Sequence, residues 1–278
     1  MSTTDLNNVI QRDVAHALVE DIGDGDITAA LIPESQQSTA TVISREHAVI
    51  CGVEWFNEVF NQLDASIEIS WQVRDGDKVI PDQILCHLKG NSRALLSGER
   101  AALNFLQTLS ATASVAAHYA SLVVGTNTKI LDTRKTIPGL RQAQKYAVTC
   151  GGCHNHRIGL YDAYLIKENH IAAAGSITNA ITTARSLKPE AKIEVEVETM
   201  SEVEEALSAA ADILLLDNFS LDMLREAVVI NKGQAILEAS GNVTHETVRD
   251  IADTGVDTIS TGELTKHVRA IDLSMRFS

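Results

Sequence analysis

The chain has 278 residues, 45% of them apolar and 22% charged, with a formal net charge of −14; that is enough apolar material for a large core, in one big domain or two smaller ones. The acidic balance argues against general nucleic-acid or anionic-membrane binding, and no run of about 18 apolar residues offers a membrane span. An N-terminus without a basic start or an apolar signal core, and four cysteines, too few for a disulfide framework, point to a reducing, cytoplasmic protein.

Residues 7–20 carry apolar side chains at Val9, Ile10, Val14, Ala17 and Leu18, a helical spacing. Residues 38–90 then read as short strands. They comprise an apolar, β-branched run over 39–50, alternation at Ile67, Ile69, Trp71 and Val73, a hairpin-type turn at Asp75-Gly76, and a run at 84–88. This predicts a small α+β domain. A long helix follows over 92–124, with Leu96, Leu103, Leu106 and Leu109 near one face. Arg100, four residues after Leu96 and three before Leu103, is expected on that same face, where its charge either snorkels at a rim or aims into a site.

From residue 128 the rhythm becomes strand, then helix, repeatedly. Strands are predicted at 129–131, 163–166, 193–197, 213–216, 235–238 and 258–260, with helices between them such as 201–211 and 221–231. Each strand ends in chemistry: 132–135, Lys167, Glu196 with Glu198, Asp217, Ser240-Gly241 and Thr261-Gly262. Functional groups at successive strand C-termini are the layout of a β/α barrel. The fold class is therefore α/β: a small α+β N-terminal domain over 1–115 and an incomplete, six- or seven-stranded parallel β/α barrel over 116–278. The last ten or so residues are left free to return to the first domain. The helix around Arg100, or a seventh element, is expected to complete the barrel; a doubly wound open sheet is the alternative.

The strand over 192–198 sets Ile193, Val195 and Val197 on one face and Glu194, Glu196 and Glu198 on the other. Carboxylates pointing into a barrel need cations or metal as partners, with Lys167, Arg134 and Asp217 on other strand ends within reach; an edge strand with one wet face is the other reading. Between residues 132 and 170, six bases (Arg134, Lys135, Arg141, Lys145, Arg157, Lys167) face three acids, a net +3 island in an acidic chain. Such an island suits a small, strongly anionic ligand. Lys167 reads either as a Schiff-base lysine or as an anion clamp, and the cations around it favour the clamp. Thr136 is a candidate cap for the helix after Pro138-Gly139. Cys150-Gly151-Gly152-Cys153-His154 formally matches a haem-attachment or metal-knuckle pattern, but its spacing is too tight for zinc and haem attachment needs export. The glycines more simply let backbone approach an anion.

The strings Asp132-Thr133-Arg134-Lys135-Thr136, Pro138-Gly139-Leu140-Arg141, Lys145-Tyr146-Ala147, Asn155-His156-Arg157, Leu165-Ile166-Lys167 and Glu238-Ala239-Ser240-Gly241, with the N-terminal stretch 20–28, resemble the quinolinate phosphoribosyltransferases, in order and over nearly the whole chain. The resemblance implies a homodimeric enzyme of de novo NAD biosynthesis. It would join quinolinate to phosphoribosyl pyrophosphate with magnesium, giving nicotinate mononucleotide, pyrophosphate and carbon dioxide. By resemblance, Arg134, His156 and Arg157 hold quinolinate, with Arg100 supplied by the partner subunit. Lys135 and Lys167 face the phosphates. Glu196 and Asp217 meet the ribose hydroxyls and the magnesium, through substrate or water, and Ser240, Gly241, Asn242, Thr261 and Gly262 form the 5′-phosphate cradle. The chain departs from the family pattern at Cys153, where a third glycine is usual, at Asn242, often glycine, and over 263–267. A paralogue associated with molybdenum transport shares the fold, and a Schiff-base barrel lyase using Lys167 is the competing chemistry.

Overall fold

The computed structural model describes residues 3–277 and divides into two compact units. The first comprises residues 3–117, 136–152 and 267–277. The sequence reading has a single boundary near residue 115; segment 136–152, which follows the first barrel strand, is counted with the first unit instead.

The sheet of the first unit has four antiparallel strands in the order Leu273–Phe277, Gln37–Ser44, Ile84–Asn91, Glu68–Trp71. The C-terminal strand pairs along the first strand from Ala40↔Phe277 to Ser44↔Leu273. Helix Val53–Leu63 buries Trp55, Phe56 and Phe60, and Phe56 meets Trp71 edge to face with ring centroids 5.1 Å apart. Asp75-Gly76 does not close a hairpin: the strands flanking it, Glu68–Trp71 and Lys78–Val79, pair with different partners. Gly76 supplies φ +93°, and the Asp75 carboxylate accepts the N–H groups of Gly52 (2.9 Å) and Val53 (3.1 Å), capping helix Val53–Leu63.

Helix Ser92–Leu122 begins in the first unit. Leu103, Leu106 and Leu109 are buried, whereas Leu96 is 36% exposed and Arg100 is exposed. The expectation that Arg100 lies on the buried face is therefore corrected. At about 100° per residue Arg100 sits roughly 60° beyond Leu103 and further still from Leu106, which carries it past the edge of the apolar stripe.

The second unit comprises residues 118–135 and 153–266. Its six strands are all parallel, in the order Lys129–Leu131, Thr258–Ser260, Ile236–Ser240, Ile213–Asp217, Ile193–Val197, Tyr164–Ile166. The first strand in sequence lies beside the last, which is barrel order rather than doubly wound order. The gap falls between Lys129–Leu131 and Tyr164–Ile166, the first two strands of this unit in sequence. His154 lies at that edge, its backbone bridged in parallel to Leu131. The helices between strands start at local signals. Ser176 and Ser220 accept from the N–H groups of Asn179 and Met223, and Thr199 with Glu202 forms a reciprocal capping box. Strand Ile193–Val197 is interior, with neighbours on both sides, so the edge-strand reading does not hold. Among the described residues no helix is long and apolar enough to cross a membrane.

Candidate active site

Parallel strands bring their C-terminal ends to one rim of the second unit. There a cavity of about 290 Å³ is lined by Thr133, Arg134, Lys135, His156, Arg157, Leu165, Lys167, Glu196, Leu215, Asp217, Glu238, Ser240 and Ser260. Eight of the predicted site residues share it: Arg134, Lys135, His156, Arg157, Lys167, Glu196, Asp217 and Ser240. A larger hollow, about 800 Å³, lies near the opposite strand ends, but its Arg185 is paired with Asp212 at 2.7 Å.

The cationic side is built by Asp132, which is fully buried. Its Oδ1 accepts the N–H of His156 (2.9 Å) and its Oδ2 the side-chain amide of Asn155 (2.7 Å), so the end of the first strand holds the 155–157 loop. Arg157 donates from Nη1 to the carbonyl of Ala163 at 3.1 Å. Burial and then the charge of Arg134 press its affinity for its proton downward. Glu194 and Asp162 partly offset that repulsion at Arg157, and two planar guanidiniums in one concave site suit an anionic ligand. Lys135 is exposed, and its N–H is fixed by Thr133 Oγ1 (3.0 Å) and its carbonyl by Thr265 Oγ1 (2.8 Å).

His156 is the most heavily engaged group. Its Nε2 lies 3.0 Å from Glu194 and 3.4 Å from Glu238, both almost fully buried, while Nδ1 accepts the N–H of Arg157 at 2.8 Å. Burial disfavours a charged ring, yet the hydrogen bonds and charges of Glu194 and Glu238 outweigh it and lift His156 to about 10. Burial disfavours the charged form of Glu194 too, which raises that carboxyl. A second ring proton at Nδ1 displaces the Arg157 amide, so the charge on His156 and the backbone of Arg157 are linked. Both ring nitrogens are thus occupied within the protein.

Lys167, Glu196 and Asp217 end three neighbouring strands. Lys167 Nζ is bonded to Glu196 Oε2, and its side chain is 43% exposed. A lysine this accessible and paired with a carboxylate is not in the desolvated setting that Schiff-base chemistry uses, which favours the anion-clamp reading. Asp217 accepts from Asn218 Nδ2 at 2.8 Å. Asn218 Oδ1 in turn accepts from Asn242 Nδ2 at 3.1 Å.

Of the remaining predicted residues, Gly241 and Asn242 line an adjoining hollow with Asn218, Ser220 and Thr247. Gly241 has φ +95°, and a Cβ there would stand 2.2 Å from Asn218 Oδ1, so only glycine fits. A Cβ on Gly262 would meet Lys135 Cδ at 3.1 Å, which places that turn against the lysine. Thr261 is buried and donates to the carbonyl of Val243 (3.2 Å), so its hydroxyl shapes the loop. Thr136 does not cap helix Arg141–Cys150; its Oγ1 accepts from Arg141 Nε at 3.1 Å. Nor do Cys150 and Cys153 form a knuckle. None of the four cysteines is in a disulfide, Cys153 is buried with its thiol pushed up to about 12 by burial, and Cys150 gathers instead with Cys51 and Asp75.

The quinolinate phosphoribosyl transferase N-terminal domain profile matches residues 26–110, and the C-terminal domain profile matches residues 112–276. The chain belongs to the quinolinate phosphoribosyltransferase family. It is 40% identical, over 261 residues covering 94% of this chain and 90% of the relative, to a probable nicotinate-nucleotide pyrophosphorylase (carboxylating) of Bacillus subtilis. A quinolinate phosphoribosyltransferase (decarboxylating) of Nicotiana tabacum is 38% identical over 301 residues, 99% of this chain and 83% of the relative. The solved nicotinate-nucleotide pyrophosphorylase from Francisella tularensis superposes with a TM-score of 0.95 at 50% identity, covering 98% of this chain and 97% of that one. The sequence reading missed Glu238, Asn218 and Thr265 as site residues and the role of Asp132; Glu194 it set among carboxylates that need a cationic partner, without naming His156 as that partner.

Proposed function

We propose that the protein transfers the phosphoribosyl group of phosphoribosyl pyrophosphate to quinolinate with decarboxylation, giving nicotinate mononucleotide, pyrophosphate and carbon dioxide in NAD biosynthesis. The observation that carries this reading is that Arg134 and Arg157 line one cavity together with Lys167, Glu196 and Asp217. Quinolinate is a planar dicarboxylate, and planar guanidinium forks are the side chains best matched to carboxylates.

In this mechanism Arg134 and Arg157 seat the two carboxylates, and His156, braced by Glu194 and Glu238, adds positive charge beside them. Lys135 and Lys167 take the phosphate oxygens, with the backbone turns at Gly241 and Gly262 as the proposed cradle for the 5′-phosphate. The bond from C1′ to pyrophosphate breaks with positive charge growing on the ribose, and Glu196 and Asp217 stand on the side that stabilises it. The pyridine nitrogen forms its bond to C1′. The ring nitrogen, now cationic, stabilises the carbanion left when the C2 carboxylate departs as carbon dioxide, and a proton then enters at C2.

Magnesium fits the donor set. Glu196 and Asp217 are hard oxygen ligands, and among the described residues the three-ligand groups that could hold an ion include neither of them. One or two carboxylates completed by phosphate oxygens and water is the usual way this ion is held. It would supply charge neutralisation for the departing pyrophosphate. On this reading the enzyme is a cytoplasmic homodimer, with the exposed Arg100 of one subunit completing its partner's site. The test is direct: with quinolinate, phosphoribosyl pyrophosphate and magnesium, nicotinate mononucleotide forms in step with pyrophosphate. Ligand binding without either product would contradict the proposal and leave the paralogue associated with molybdenum transport as the better reading.

A further inference from the structure

We propose that Cys51 and Cys150 are a two-thiol modification site in the first unit, which a peroxide closes to a disulfide. The two cysteines stand about a hundred residues apart in sequence, yet the ligating atoms of Cys51, Asp75 and Cys150 all lie within 4.8 Å of one another. Cys51 is fully buried and Cys150 is half-buried at the end of helix Arg141–Cys150, so one thiol is sheltered and the other is reachable.

The surroundings are fixed. The N–H of Cys51 donates to Ser110 Oγ at 3.0 Å. A Cβ on Gly151, the residue after Cys150, would stand 2.3 Å from the carbonyl of Ala113, so the helix end is packed directly against backbone. Asp75 already accepts three hydrogen bonds: from the N–H groups of Gly52 and Val53, and from the Tyr146 hydroxyl at 2.8 Å. With that carboxylate committed to capping a helix, a metal lacks its third ligand, and what remains is one thiol facing another. Hydrogen bonding from Cys51, opposed by burial, holds the Cys150 thiol below its ordinary range, whereas burial pushes Cys51 well above it. Cys150 is therefore the attacking sulfur and Cys51 the resolving one.

The chemistry balances with hydrogen peroxide as the oxidant. The Cys150 thiolate attacks one oxygen, an S–O bond forms, the O–O bond breaks, and hydroxide leaves to become water. Cys51 then attacks the sulfenic sulfur. The S–S bond forms, the S–O bond breaks, and the second hydroxide departs with the Cys51 proton as water. Two thiols lose two electrons, and one peroxide becomes two waters. The bond would tie the end of helix Arg141–Cys150 to the turn before helix Val53–Leu63.

The test uses the reduced, desalted full-length protein with equimolar hydrogen peroxide. The expected result is a mass loss of about 2 Da, reversed by dithiothreitol, and a non-reducing peptide map joining the Cys51 and Cys150 peptides. Cys150→Ser should abolish the mass loss. The map is made on the unaltered chain, so the proposal stays testable even if Cys150→Ser fails to fold. Mass gains of about 16 or 32 Da without a link, a link from Cys150 to Cys153, or stoichiometric zinc held by Cys51 and Cys150 would each overturn it.

Discussion

Replacing Glu194 with Gln removes one charge from the His156 cluster while keeping its volume and an oxygen able to accept the Nε2 proton. In the unaltered protein the ring is lifted from its ordinary 6.5 to about 10 by Glu194 and Glu238 against the cost of burial. Glu194 makes the closer contact, 3.0 Å against 3.4 Å, and the larger of the two hydrogen-bond contributions. A charged hydrogen bond contributes about 1.5–3 kcal/mol, and each pKa unit corresponds to about 1.4 kcal/mol. Glu194→Gln should therefore lower the titration midpoint of His156 by about 1–2 units. The assay is a pH titration of the histidine ring resonances by NMR, with the His156 signal assigned by its loss in His156→Gln. Because the backbone N–H of Arg157 points at Nδ1, its amide resonance should move with the same midpoint. The linkage has a definite sign. A ring whose affinity is raised by folding contributes stability fully below pH 6.5, and that contribution is lost as pH rises through about 10; burial raises Glu194 in the same sense. A His156 that titrates near 6.5 in the unaltered protein, or with the same midpoint in both proteins, refutes the argument.

Arg134→Lys keeps the charge but loses the planar fork, and should lower kcat/KM for quinolinate at least roughly tenfold, about 1.4 kcal/mol; an unchanged value in steady-state assays would remove Arg134 from the carboxylate clamp. Gly241→Ala meets both a left-handed φ and Asn218 Oδ1, so it should cost about 1–3 kcal/mol of local strain and raise KM for phosphoribosyl pyrophosphate more than for quinolinate; equal effects on both substrates would separate that turn from the phosphate. For Arg100, an Arg100→Ala chain co-refolded with a Lys167→Ala chain should regain about a quarter of full activity, since half the dimers are hybrids and one of their two sites is intact. No recovery, with hybrids confirmed by mass, would place Arg100 outside the partner's site.

Much of the barrel was legible because its strands are short apolar runs between helices. The runs 129–131, 193–197 and 258–260 coincide with observed strands Lys129–Leu131, Ile193–Val197 and Thr258–Ser260. The candidate site was legible because barrel chemistry gathers at strand ends, which placed Lys167, Glu196 and Asp217 together before their distances were known. Pairing was not legible. Glu194 finds His156 because Asp132 anchors the intervening loop, and Glu238, a lone acid in an apolar strand, joins them from far along the chain. Cys150 has Cys153 as its neighbour in sequence but Cys51 as its neighbour in space. Arg100 was misplaced because an apolar stripe read at three- and four-residue steps has no sharp edge, and the residue falls just beyond it. Asp75 reads as a turn residue, and nothing local says that it caps a helix starting about twenty positions earlier.

The central claim is that a converging set of cations selects a dicarboxylate. It is tested most directly by comparing kcat/KM for quinolinate and for nicotinic acid, which lacks the C2 carboxylate, at fixed phosphoribosyl pyrophosphate and magnesium. Leaving one desolvated guanidinium without its partner costs about 2–5 kcal/mol, so nicotinic acid should be the poorer substrate by at least about 30-fold. Equal turnover of the two acids would contradict the account.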